Sequence, residues 1–113
     1  MNGIGVDIVS IKHLEERFSD TFKQGVFTDV EIAYADEHPR PLEAYAGTFA
    51  GKEAVVKALS EPWSSPRDIE IIRESGSCPA VALYGPYTSF DTERIHVTLS
   101  ADDGYAIAFA VYQ

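Results

Sequence analysis

The chain has a single cysteine, nine lysines and arginines against eighteen aspartates and glutamates, and no long apolar run. Each scarcity excludes something. One cysteine cannot build an internal disulfide framework, which makes the cytoplasm the expected location. That residue, Cys78, precedes Pro79 in a turn and has no histidine near it in sequence, so it is a poor candidate nucleophile. A net charge of −9 lacks the clustered cations of a phosphate-tracking surface, which argues against nucleic acid as a partner and against an anionic membrane surface. The apolar segments are too short to span a bilayer, and no signal or transit peptide opens the sequence. Gly3-Ile-Gly5 lacks a third glycine and runs into an aspartate within a strand, so it is neither a dinucleotide fingerprint nor a P-loop. His13, His38 and His96 fall on a helix, a loop and a strand without the spacing of zinc ligands. There are no repeats or low-complexity tracts, and 113 residues suit one domain over 1–113.

What the sequence does contain centres on a helix expected from about Pro41 to Leu59. Leu42, Tyr45, Ala46, Phe49 and Val56 project as one apolar stripe, with Glu53 in its middle and Lys57 one turn further on at its edge. An ionised carboxylate in such a place shifts its pKa, pairs or binds a metal. The bland alternative is a Glu53–Lys57 pair along the helix. A second misplaced acid is Asp7. In the expected strand Met1–Val9, Ile4, Val6 and Ile8 share one face, while Gly3, Gly5, Asp7 and Val9 share the other. Two glycines beside Asp7 suit close approach of a ligand or of another backbone. The alternative is that Asp7 caps a helix or ends the strand early.

The remaining segments follow from local signals. Ser10 caps a helix expected to run to about Asp20, its outer face mixing Lys12, Arg17 and Lys23 with acids; Gly25 is expected to break the chain. Thr28-Asp-Val-Glu31 is a capping box for a short helix to about Asp36, which gives Glu31 a structural task. The proline-bearing 60–67 segment reads as a loop with Trp63 folded onto the core. Strands are expected over 68–74 and 79–84 around a 75–78 turn, and over 94–100 and 105–112 around Asp102-Asp-Gly104. The last strand is apolar on both faces, so one face can take the central helix and the other needs a cover, for which a partner subunit is the simplest source.

The motifs Gly3-Ile-Gly-Val-Asp-Ile-Val9, Phe27-Thr-Asp-Val-Glu31 with Tyr34, Phe49-Ala-Gly-Lys-Glu-Ala-Val-Val-Lys-Ala-Leu59, Gly76 with Pro79, and Val97-Thr-Leu-Ser100 stand in an order and spacing that covers nearly the whole chain. Together they resemble the holo-(acyl-carrier-protein) synthase type of 4′-phosphopantetheinyl transferase. The resemblance implies an α+β fold, a small antiparallel or mixed sheet packed on a long central helix, assembled as a homotrimer with active sites at subunit interfaces. It implies transfer of the 4′-phosphopantetheine arm of coenzyme A to a serine of an apo carrier protein. It makes Asp7 and Glu53 magnesium ligands and Lys57 a phosphate contact, all three catalytic, and adds Lys52 and Ser100 to the coenzyme A contacts.

Two departures stand out. Ala101 follows Ser100 where the family commonly has a histidine expected near the coenzyme A phosphates, and Thr48 stands where many members have an arginine. Carrier proteins are typically acidic, and a first helix with only Lys12, Arg17 and Lys23 steers them poorly, which points to an unusual carrier. A second reading is a weak or inactive member that binds coenzyme A or a carrier protein in an assembly. The retention of Asp7, Glu53 and Lys57 argues for the enzyme.

Overall fold

A computed structural model describes residues 2–74 and 77–113 of the chain; the expected turn at Ser75-Gly76, and Gly76 of the family motif, lie outside the described residues. The order is β1 (Gly3–Ser10), α1 (Ile11–Arg17), α2 (Asp20–Val26), α3 (Asp29–Glu37), α4 (Pro41–Leu59), β2 (Ile69–Ile72), β3 (Ala80–Leu83), β4 (Ile95–Asp102) and β5 (Tyr105–Tyr112). All strand pairing is antiparallel. β1, β5 and β4 form one sheet with β5 central, and β2 pairs with β3 in a two-stranded ribbon. The α+β reading holds.

α4 is the axis, packed by the three-stranded sheet on one side and by α1, α3 and β2 on others. Pro41 at its first turn fits a position where the missing N–H costs nothing, and Ser60 in the left-handed region (φ 57°) ends it. The helix meets β5 through small side chains: Ala106, Ala108 and Ala110 are buried under the buried alanines of α4. Because α4 is surrounded, its burial does not follow one stripe. Phe49 and Glu53 are only half-buried, whereas Thr48 and Lys52, off the expected stripe, are fully buried. Glu53 therefore lies beside the core rather than in it.

β1 lies almost on the backbone of α4. A Cβ on Gly3 would collide with the Ala58 carbonyl, and one on Gly5 would collide with the Ala54 carbonyl and stand 2.8 Å from the Lys57 Cβ. Of the two options the glycines left open, close approach of another backbone is the one realised. On the opposite side, α4 is tied through a buried ion pair. Lys52 Nζ lies 2.6 Å from Glu31 Oε1 and donates to the carbonyls of Val26 and Pro66, each at 2.9 Å. Glu31 also accepts the Thr28 N–H at 2.9 Å, completing the capping box, and the Ile71 N–H at 2.7 Å. Burial raises the Glu31 carboxyl above its ordinary value and lowers the Lys52 ammonium below its own, while attraction between the two opposes both shifts.

Three local expectations differ from the structure. The helix from Ser10 is two helices, because Phe18 is extended and Ser19 accepts the Phe22 N–H as a fresh N-cap. Gly25 sits inside α2 and breaks nothing. Trp63 is 37% exposed and not folded onto the core.

The glycines give a paired test. Gly5→Ala is expected to lower the melting temperature by roughly 10 °C, because the obstacle is helix backbone that cannot step aside. Gly25→Ala, which meets nothing within 4 Å, is expected to raise stability by about 0.5–1 kcal/mol. Equal effects in thermal denaturation would contradict the close packing of β1 on α4.

Candidate active site

Asp7 is next after Val6 on a strand whose inward positions are Gly3, Gly5, Asp7 and Val9. The glycines bring that face to α4, and Asp7 then lies where the strand leaves the helix toward α1. Ser10 ends the strand and caps α1 by accepting the His13 N–H at 3.2 Å, and α1 packs against α4. The space left between β1, α1 and α4 is a cleft of about 650 Å³. Asp7, Ser10, His13, Arg17, Phe49 and Glu53 line it. The two misplaced acids, 46 positions apart in the chain, thus converge on one cavity.

Each carboxylate is held by one protein donor. Asp7 Oδ1 takes the Lys57 ammonium at 3.2 Å, and Glu53 Oε2 takes the Trp63 indole N–H at 3.0 Å. Asp7 Oδ2 and Glu53 Oε1 have no partner among the described residues. Lys57 also donates to the Val6 carbonyl at 2.9 Å and is half exposed, so its pair with Asp7 orients more than it stabilises. The alternative of a Glu53–Lys57 pair is not realised among the described residues; Lys57 turns to β1 instead. No group of three or more histidines, cysteines or acids suited to a metal occurs among the described residues. Two hard carboxylates, each with one uncommitted oxygen, suit magnesium, which takes one or two protein carboxylates and completes its shell with water and phosphate oxygens.

The other expected site residues lie elsewhere. Lys52 is fully buried, and its three N–H groups are occupied by Glu31, Val26 and Pro66. The expectation that it contacts coenzyme A is corrected: position 52 faces α3 and the 60–67 segment, and no donor remains for a phosphate. Ser100 lines a separate cavity of about 210 Å³ with Ala101, His38, Gly47 and Arg73. Sequence reasoning missed three participants. Trp63 holds Glu53, and its only signal was a large amphipathic side chain in a loop. His13 and Arg17 line the cleft, and the spacing that would have shown this is their position one turn apart on a helix beginning four residues after Asp7.

The family model described as the 4′-phosphopantetheinyl transferase superfamily matches residues 3–110. A holo-[acyl-carrier-protein] synthase of Thermodesulfovibrio yellowstonii is 36% identical over 98% of this chain and 97% of its own length. Fatty acid synthase subunit alpha of Lachancea kluyveri is 38% identical over 97% of this chain, which spans only 6% of that much longer protein. The structure of Helicobacter pylori holo-[acyl-carrier-protein] synthase in complex with coenzyme A is similar with a TM-score of 0.82 and 31% identity, covering 97% of this chain and 99% of the other. Fold, motif order and family model agree, and the chain belongs to the 4′-phosphopantetheinyl transferase superfamily.

Proposed function

We propose that this chain transfers the 4′-phosphopantetheine group of coenzyme A to a serine of an apo carrier protein, in a magnesium-dependent reaction that releases adenosine 3′,5′-bisphosphate. The observation that carries the reading is the meeting of Asp7 and Glu53 in one cleft, with Lys57 bonded to Asp7 beside it. Relatives named as holo-[acyl-carrier-protein] synthases, one of them in complex with coenzyme A, support the substrate classes.

In the reaction the serine oxygen bonds to the β-phosphorus while the bond to the bridging oxygen of the nucleotide breaks. The leaving adenosine bisphosphate keeps the electron pair. Asp7 and Glu53 would hold magnesium, which when bound neutralises charge on the pyrophosphate. Lys57 exchanges its contact with Asp7 or Val6 for an oxygen of the phosphate in transfer, adding a positive charge where negative charge develops. Glu53 takes the serine proton through an intervening water, on a lone pair not used by the metal, and releases it to solvent. Trp63 fixes the other oxygen, so the carboxylate presents one defined edge to the cleft.

The assembly completes the reading. The outer face of the three-stranded sheet carries Ile4, Val6 and Ile8 on β1 against Ile107 and Phe109 on β5, all exposed, with Ile4 at 69%. Val6 pairs directly with Phe109 and Ile8 with Ile107, so the patch is contiguous. A homotrimer that buries these faces accounts for it.

Two experiments bear on the proposal. Intact-mass spectrometry of apo carrier proteins incubated with this protein, coenzyme A and magnesium is expected to show a gain of roughly 340 Da that is lost with chelator and falls at least about a hundredfold in rate with Glu53→Gln. No gain on any of several carriers would reject the transferase. Sedimentation is expected to give a trimer for the native chain and a smaller species for Val6→Asp; a native monomer would reject the assembly.

A further inference from the structure

The side chain that holds Glu53 is itself held. Trp63 stands exposed in the segment after α4, yet the chain is fixed on both sides of it by one buried hydroxyl. Tyr87, at the end of a 3₁₀ turn over Gly85–Tyr87 and almost fully buried, donates its hydroxyl to the Pro62 carbonyl at 2.9 Å and accepts the Ser64 N–H at 2.8 Å. The Ser64 hydroxyl donates in turn to Asp68 Oδ2 at 2.9 Å. Both neighbours of Trp63 are thus pinned to the body of the protein. The indole N–H meets Glu53 Oε2 at 3.0 Å from a loop whose position is set.

An indole N–H can only donate, so it engages a carboxylate oxygen without offering a metal ligand of its own. With Oε2 engaged, Oε1 is the oxygen that Glu53 has to give, and the same bond sets its direction. Asp7 is in a like position, because Lys57 engages Oδ1 and leaves Oδ2. Two single, directed oxygens discriminate between hard cations. Magnesium is small, demands a near-octahedral shell and gains from oxygens already in place. Calcium accepts roughly six to eight oxygens in looser geometry and can take both oxygens of one carboxylate.

We infer that Trp63 is a positioning residue that makes the Asp7–Glu53 site selective for magnesium over calcium. It withholds one oxygen of Glu53 and fixes the other, and Tyr87 acts through it by holding the loop. The inference rests on the metal-binding role proposed above for these two carboxylates. Without the indole, the Glu53 carboxylate turns freely. Magnesium then loses an oriented ligand, while calcium gains a carboxylate able to chelate with both oxygens. Groups that bond a ligand rather than the metal change metal affinity by about ten- to a hundredfold when removed.

The test is competition for Mn²⁺. Free Mn²⁺ is followed by electron paramagnetic resonance in solutions of the coenzyme A-bound chain while Mg²⁺ or Ca²⁺ is added to displace the bound ion, for the native chain, Glu53→Gln, Trp63→Phe, Trp63→Gln and Tyr87→Phe. Trp63→Phe keeps an aromatic ring and removes the donor. It is expected to weaken Mg²⁺ roughly tenfold and to leave Ca²⁺ within about twofold of native or tighter, so the preference for Mg²⁺ falls about tenfold. Trp63→Gln, whose amide N–H lies at the same bond separation from Cα as the indole N–H, restores part of that preference. Tyr87→Phe, which frees Pro62 and Ser64 without removing the indole, lowers it in the same direction. Thermal melts within a few degrees of native show that the variants fold; if Tyr87→Phe does not, the two Trp63 variants decide. Equal weakening of both cations by Trp63→Phe, or no change in either, overturns the inference and leaves the metal site standing. An unchanged preference in folded Tyr87→Phe overturns the part given to Tyr87. Native Mn²⁺ binding that Glu53→Gln does not weaken rejects the metal site itself, and the inference falls with it.

Discussion

β1 can lie against α4 only because Gly3 and Gly5 present no side chain to the Ala54 and Ala58 carbonyls. The candidate site follows from that constraint. With β1 a side chain's thickness further away, Asp7 would move off the helix that carries Glu53 and Lys57, and the Lys57 bonds to Val6 and Asp7 would open. The same contact sets the outward positions, placing Ile4, Val6 and Ile8 in a row on the other face of the strand. One close packing thus fixes both the cleft and the apolar surface proposed to assemble.

The opposite flank of α4 is fixed by different chemistry. Glu31 joins the start of α3, the middle of α4 and Ile71 of β2 through one carboxylate, with Lys52 as its counter-ion. A fully buried pair of this kind is not cheap, and removing one partner would cost about 3–5 kcal/mol by leaving the other charge unpaired. Its directional bonds set the rotation of α4 about its own axis. That rotation is what turns Glu53 to the cleft and Lys52 away from it.

Much of this was legible in sequence. The bounds of α4, the capping box at Thr28–Glu31, the strand pairing around Asp103-Gly104 and the oddity of Asp7 and Glu53 all came from local pattern. What failed has distinct physical causes. A helix surrounded by packing has no single apolar stripe, so periodicity put Glu53 in the core and Lys52 on the flank, the reverse of their places. Contacts between distant segments, such as Trp63 on Glu53 and Arg73 on Thr48, leave no local trace at all. The break at Phe18 had a signal in Ser19, a capping residue that lost to the longer apolar pattern.

The central claim is that Asp7 and Glu53 form one metal site facing the substrate. Diffraction at the manganese edge from crystals grown with coenzyme A and Mn²⁺ tests it most directly. The account predicts an anomalous peak within bonding distance of both carboxylates, with the pyrophosphate of coenzyme A in the same cleft. Coenzyme A bound with the peak at other acids, or with Asp7 and Glu53 on opposite sides of an empty cleft, would contradict it.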